Sequence, residues 1–164
     1  MLRDKSLVPF SHQHQHALAL CVRLDRALGK PDTTSFTRWQ AEIERMFATE
    51  INFHFTAEEQ FLFPAASHFE PLRPIVDALL EDHKSLRAYL EKAKARAMGK
   101  DELLAFSATL SRHIRTEERE LFEGCQKVMP AEELARIGAQ TEDFFRSNGV
   151  LTNACALPSS LPER

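Results

Sequence analysis

Two stretches of this chain, HFTAEEQFLFP at 54–64 and HIRTEERELFE at 113–123, write the same residues in register. His54, Glu58, Glu59, Leu62 and Phe63 return as His113, Glu117, Glu118, Leu121 and Phe122. A glutamate four residues after a histidine stands one helical turn from it on the same face. An imidazole and a carboxylate in that relation offer N and O donors to iron, manganese or zinc; the absence of thiolate argues against copper(I) or an iron–sulfur cluster. One such pair is ordinary in a chain with 24 acidic residues. Two in register, each closing on Leu-Phe, point to two helices that present the same group to a shared site.

The apolar spacing predicts five helical segments to position these groups. The first is expected to open after Pro9 and Phe10 with Ser11 as N-cap, and to stop at Gly29-Lys30-Pro31. Its inward stripe is His14, Ala17, Leu18, Cys21, Leu24 and Leu28. Residues 32–35 (Asp-Thr-Thr-Ser) cap a second helix with Phe36, Trp39, Ile43, Phe47, Ile51, His54, Glu58 and Phe61 on one face. Pro64, Pro71 and Pro74 mark the next connection. The third helix carries Leu72, Ile75, Leu79, His83, Leu86, Leu90 and Ala97, with Gly99 as its C-terminal cap. The fourth starts near Asp101 and aligns Leu103, Phe106, Leu110, His113, Glu117, Leu121 and Cys125. After Pro130 a shorter fifth helix, with Leu134, Ile137 and Phe144, is expected across the bundle end.

Short connections between long helices favour an all-α fold, an antiparallel up-down-up-down four-helix bundle. The domain is expected over residues 1–146, with a flexible tail over 147–164. Composition agrees: 43% hydrophobic residues can fill a core, and only 5 Gly and 8 Pro in 164 residues favour helix over sheet. A net charge of -3 with scattered Lys and Arg carries no footprint for nucleic acid or an anionic membrane. Cys21, Cys125 and Cys155 are odd in number and far apart, as expected of reduced thiols rather than a disulfide framework. MLRDKSLVPF lacks the apolar stretch of a signal peptide, and no run of about 18 apolar residues occurs, so a cytoplasmic location is expected. The oligomeric state is not legible.

The stripes contain an anomaly. His14, His54, Glu58, His83, His113 and Glu117 fall where the core should be. Buried imidazoles and carboxylates cost several kcal/mol unless paired or bound to a cation. At about 1.5 Å per residue, His54 stands roughly 20 Å from the helix end expected near 67, and His83 roughly 18 Å from the start expected near 71. In an antiparallel bundle such residues meet at one level. In the first helix His12, His14 and His16 are all candidates; His14 is preferred because it shares the apolar stripe, whereas His16 shares a face with Arg23. His68, in the loop after Pro64, is expected in solvent.

SHQHQHAL, HFTAEEQFLFP, EDHKSL and HIRTEERELF together resemble the hemerythrin-like, or HHE cation-binding, domains over roughly residues 7–146. The resemblance implies a four-helix bundle holding two non-heme iron ions, bridged by two carboxylates and an oxygen species. It implies His14, His54, His83 and His113 as terminal ligands and Glu58 and Glu117 as bridges, with zinc or manganese as substitutes. Members take the fourth-helix carboxylate four or five residues after the histidine, so Glu118 stands in reserve. The family's oxygen carriers have a fifth histidine one turn after the third-helix histidine, where this chain has Arg87. A guanidinium stays protonated and cannot ligate a cation. Its head either turns to solvent or guards the coordination position left open. Four His and two Glu look more like the family's iron–sulfur-repair, nitric-oxide-responsive and iron-sensing members. The expected function is a di-iron protein that binds or senses oxygen, nitric oxide, peroxide or iron. The alternatives are a di-iron redox enzyme or iron donor in cluster repair, and a structural protein with one zinc or no metal. No nucleic-acid or membrane partner is expected.

Overall fold

The computed structural model describes residues 2–29 and 35–150, and among these it is all helix and turn, without a strand. Helix α1 spans Val8–Leu28. Helix α2 is one continuous rod over 36–66, in which two five-residue π-helical turns, Phe47–Ile51 and Glu58–Leu62, interrupt the α-helix. A 3₁₀ turn, Glu70–Leu72, leads into α3, Arg73–Lys94. Helix α4 covers 100–128 and contains a third π turn, Glu117–Leu121. Helix α5 is Ala131–Ser147.

Local chemistry explains the boundaries, including those that differ from expectation. Helix α1 opens one turn early, with Leu7 at the N-cap position, because Pro9 belongs in a first turn, where its missing N–H is no loss. Ser11 therefore lies inside the helix, its N–H bonded to the Leu7 carbonyl at 3.2 Å. Ser35 caps α2 by accepting from the Arg38 N–H at 3.2 Å; the remainder of the expected cap and the stop at Lys30-Pro31 lie outside the described residues. Pro64 does not end α2. The π turn before it restarts the hydrogen-bond register, so Pro64 sits as in the first turn of a new helix and the rod runs on to Ala66.

Gly99 does not cap α3. Arg96 takes the left-handed conformation there (φ 56°), while Ala97 N–H reaches back to the Lys92 carbonyl. Gly99 is extended and starts α4, its N–H donated to the Glu102 carboxylate at 3.2 Å. Ala97 is consequently exposed, and Ala93 and Met98 fill the core instead.

Buried apolar residues form two clusters with a polar layer between them. One cluster holds Leu7 and Phe10 of the α1 end, Leu62 and Phe63 of late α2, Val76 and Leu79 of early α3, and Leu121 and Phe122 of late α4. The other holds Leu20 and Leu24, Phe47 and Phe55, Leu86 and Leu90, Phe106 and Leu110. On α1 and α3 the change of cluster straddles His14 and His83; on α2 and α4 it follows His54 and His113, between Phe55 and Ala57 and between Ile114 and Leu121. Helix α1 packs along α4, α4 along α3, and α3 along the first part of α2. Helix α5 packs on α1, residues 52–62 of α2 and the end of α4, burying Leu134, Ile137 and Phe145, with Phe144 only half-buried. A Cβ at Gly138 would sit 2.8 Å from Ser6 Cα, so glycine alone admits the N-terminal segment against α5. Ser147 is still helical and Val150 is buried; the expected tail otherwise lies on 151–164, outside the described residues. No helix among the described residues is long and apolar enough to cross a membrane.

Candidate metal centre

The polar layer consists of His14 from α1, His54 and Glu58 from α2, His83 from α3, and His113 and Glu117 from α4, none more than 5% exposed. Their ligand-capable atoms form two groups, His14–His54–Glu58–Glu117 and His83–His113–Glu58–Glu117, each within 4.8 Å. The glutamates belong to both groups. Glu58 turns Oε1 to His54 Nε2 at 3.1 Å and Oε2 to His83 Nε2 at 3.4 Å. Glu117 turns Oε2 to His14 Nε2 at 3.0 Å and Oε1 to His113 Nε2 at 3.1 Å. Each carboxylate thus spans the two histidine pairs, one oxygen to each.

Both glutamates begin a π turn at the same offset from their histidine. The widened turn lets two consecutive carboxylates work inward, a use typical of π turns at functional sites. Glu58 and Glu117 enter the cluster. Glu59 meets His83 Nδ1 and Glu118 meets His14 Nδ1, both at 2.7 Å. The other two imidazoles are backed as well: His113 Nδ1 faces Asp82 at 3.6 Å and His54 Nδ1 faces Gln13 Oε1 at 2.9 Å. An acceptor hydrogen-bonded to Nδ1 of His14, His54 and His83, and the Asp82 carboxylate near that of His113 without a hydrogen bond, leave each Nε2 facing the cluster, as metal-binding histidines require. Arginines brace the outer carboxylates, Arg3 on Glu118 at 2.6 Å and Arg87 on Glu59 at 2.8 Å. Aromatic rings hold the imidazoles from the sides: Phe55 stacks on His83 at 3.7 Å and Phe122 on His14 at 5.7 Å.

The electrostatics are those of a site that lacks its counter-charge. No oxygen of Glu58 or Glu117 has a hydrogen-bond donor, and His83 Nε2 and both ring nitrogens of His113 have no partner, although all are buried. Such orphaned atoms are rare in protein interiors and call for an explanation such as a bound cation. Burial and the charge of Glu117 push Glu58 up to about 7. Burial opposes ionisation of Glu117 too, but the neighbouring His113 and His14 outweigh it and hold it well below the usual range. Burial disfavours the imidazolium of His14, yet Glu117 and Glu118 push its pKa up to about 9. Against the same burial, Glu117 and Asp82 push His113 up to about 10. Burial and the nearby His14 hold His54 far below its ordinary value. The donor set and the orphaned atoms fit metal ions.

The structure brings together all six residues singled out in the sequence, and of the first-helix histidines it is His14 that enters. His12 is half-buried outside the cluster; His16 is exposed and pairs with Glu50 at 2.8 Å. Glu118 stands behind His14 and not in the cluster. His68 is exposed, and Cys21 and Cys125 are buried free thiols; Cys155 lies outside the described residues. Arg87 is half-exposed, its head on Glu59 and 5.5 Å over the Phe55 ring, facing a carboxylate instead of the cluster. Gln13, Glu59 and Asp82 were not foreseen in these roles. Their signals were present: Gln13 and Asp82 immediately precede their helix's histidine, and Glu59 is the second member of a repeated Glu-Glu.

A family model described as the hemerythrin HHE cation binding domain matches residues 9–125. The chain belongs to the hemerythrin HHE family. The match spans α1 to α4 with all six cluster residues and ends before α5. As a hemerythrin HHE domain, the chain has a buried His/Glu cluster consistent with metal binding. No curated protein and no solved structure matches the chain at a significant level.

Proposed function

We propose that this domain holds two non-heme iron ions and uses them to bind or sense a small oxidant: oxygen, nitric oxide or peroxide. His14 and His54 would serve one ion, His83 and His113 the other, with Glu58 and Glu117 bridging. The observation that carries this reading is the division of each carboxylate between the two histidine pairs. A single-ion site has no use for two carboxylates placed symmetrically between two imidazole pairs. Imidazole and carboxylate without thiolate suit iron, with manganese and zinc as substitutes. Iron supplies open coordination positions and one-electron chemistry toward small oxidants.

The chain's own residues would do the rest. The groups behind Nδ1, hydrogen-bonded at His14, His54 and His83 and the nearby Asp82 carboxylate at His113, would keep each Nε2 aimed inward, and the phenylalanines of both core clusters exclude bulk water. Arg87 leaves the third-helix half with two imidazoles. A cavity of about 20 Å³ adjoins His14, His54 and His113, walled by Met46, Ile51 and Phe55. It has room for about one water-sized group. That size favours a small ligand over an enzyme with an organic substrate. The alternating sense of the core layers supports an up-down-up-down course for α1 to α4, which presents four helices' side chains at one level.

Metal analysis of protein from iron-sufficient cells tests the proposal. Two irons per chain are expected, with near-ultraviolet absorption from a bridged pair; a single zinc bound with iron excluded would overturn it. Anaerobic reduction, then rapid mixing with oxygen, peroxide or nitric oxide, separates a binder or sensor from a catalyst by whether the oxidant is turned over.

A further inference from the structure

The repeat relates α2 to α4, the geometry of the cluster sets α1 opposite α3, and the correspondence breaks at one buried position. Asp82, before His83, faces His113 Nδ1 and is held by Arg112 through hydrogen bonds of 2.6 and 3.0 Å. Gln13, before His14, faces His54 Nδ1 at 2.9 Å. A carboxylate on one side is a neutral amide on the other.

Chemistry decides which end of that amide points where. His54 presents Nε2 to the cluster, so when Nε2 binds a cation the ring proton resides on Nδ1. That N–H needs an acceptor, which places Gln13 Oε1 against it and leaves Gln13 Nε2 free. The amide nitrogen is buried without a hydrogen-bond partner, on a residue only 5% exposed. Gln13 also lines the cavity beside His14 and His54, whose remaining walls are apolar except for His113 and for Glu50, itself drawn to His16. A buried amide donor without a partner, at the edge of a cavity of one small ligand's size, marks the place where a ligand accepts a hydrogen bond.

We propose that Gln13 is a ligand-contacting residue: its Nε2 donates a hydrogen bond to a small anionic ligand held in this cavity at the His14/His54 half. The proposal rests on the di-iron reading above and deepens it. Azide is the probe, titrated into the oxidised iron-loaded protein, with iron content measured alongside. Gln13→Leu removes the acceptor behind His54 as well as the amide donor, so iron is loaded to saturation before azide is added. The loaded variant is expected to bind azide roughly tenfold more weakly, as for loss of one hydrogen bond to a charged group, and to shift the azide antisymmetric stretch. Gln13→Glu preserves an acceptor for His54 but removes the amide donor, so its azide affinity should fall at least as far. Native affinity and an unmoved stretch in Gln13→Leu, or recovery of native affinity in Gln13→Glu, would overturn the proposal and reduce Gln13 to a support for His54. Should Gln13→Leu lose iron, Gln13→Glu decides by the same criterion. Native protein without iron overturns the metal reading and this proposal together; loaded protein with unchanged azide binding overturns this proposal alone.

Discussion

The two histidine pairs look alike at the cluster and differ behind it. His83 and His113 are both backed by carboxylates, Glu59 and Asp82, and each of these is clamped by an arginine. His14 has the matching support, Glu118 with Arg3, but His54 rests on the neutral Gln13. The cavity touches both imidazoles of that second pair and, of the first pair, His113 alone. A carboxylate behind an imidazole strengthens it as a donor, and an amide does so less. The comparison teaches that the two pairs, alike at the cluster, differ in the charge of one backing group and in how much of the cavity they border. The repeated phrase in α2 and α4 makes the inner shape symmetric, while α1 and α3, which do not repeat one another, set the halves apart.

The largest effect should come from what the halves share. Glu117→Ala removes an oxygen from each group, so both irons are expected to go. Stability should fall by the lost binding term, about 4 kcal/mol if metal had been present at a thousandfold over its Kd. Metal content and melting temperature check this; loss of only one ion would mean that the halves do not depend on a common bridge.

Next comes the difference between halves. His113→Ala and His54→Ala should each cost at least one ion, His113→Ala more completely, because it strips the carboxylate-backed side. Equal residual iron and equal release rates in the two variants would erase the asymmetry.

A pH titration is expected to show a smaller, graded effect. In the metal-free protein His14 is pushed up to about 9 and His113 up to about 10. Folded values above the ordinary 6.5 stabilise fully below that value, and the contribution is lost as pH rises through about 9 to 10. Metal-free melting temperature should therefore fall over that window. Binding a cation must first displace those protons, so metal uptake should release protons and tighten from pH 6 to 8. On the acid side, the hydrogen bond from His83 holds Glu59 at about 2 against its partial burial. The hydrogen bond from His14 outweighs burial and holds Glu118 at about 2 as well. Their support is present above the ordinary value near 4.5 and fades as pH falls toward 2. Calorimetry in buffers of different ionisation enthalpy measures the proton release, and an absence of release at pH 7 would contradict the raised histidines.

The smallest effect sharpens the boundary of the site. His16→Ala and His68→Ala lie outside both halves and should leave metal content unchanged, with stability within about 0.5 kcal/mol of native. Metal loss from His16→Ala equal to that from His14→Ala would move the first-helix assignment.

The sequence by itself determined the helices and the six residues that converge. Both follow from periodicity, since a 3.6-residue repeat states which residues share a face. Polar residues on an apolar stripe are conspicuous because their burial is costly. What it could not state depended on the neighbours of each backbone group. Gly99 does not cap α3 because Arg96 takes the left-handed position ahead of it, and Pro64 falls just inside the end of α2, near 67 as expected, because a π turn restarts the register before it. Whether Glu117 or Glu118 enters the cluster turned on that same kind of π turn, beginning at Glu117. The roles of Glu59, Glu118, Asp82 and Gln13 were decided by which imidazole of another helix each one meets, across separations of 24 to 104 residues for the hydrogen-bonded pairs. Sequence spacing fixes a side chain's direction on its own helix; only packing of the helices fixes what it finds there.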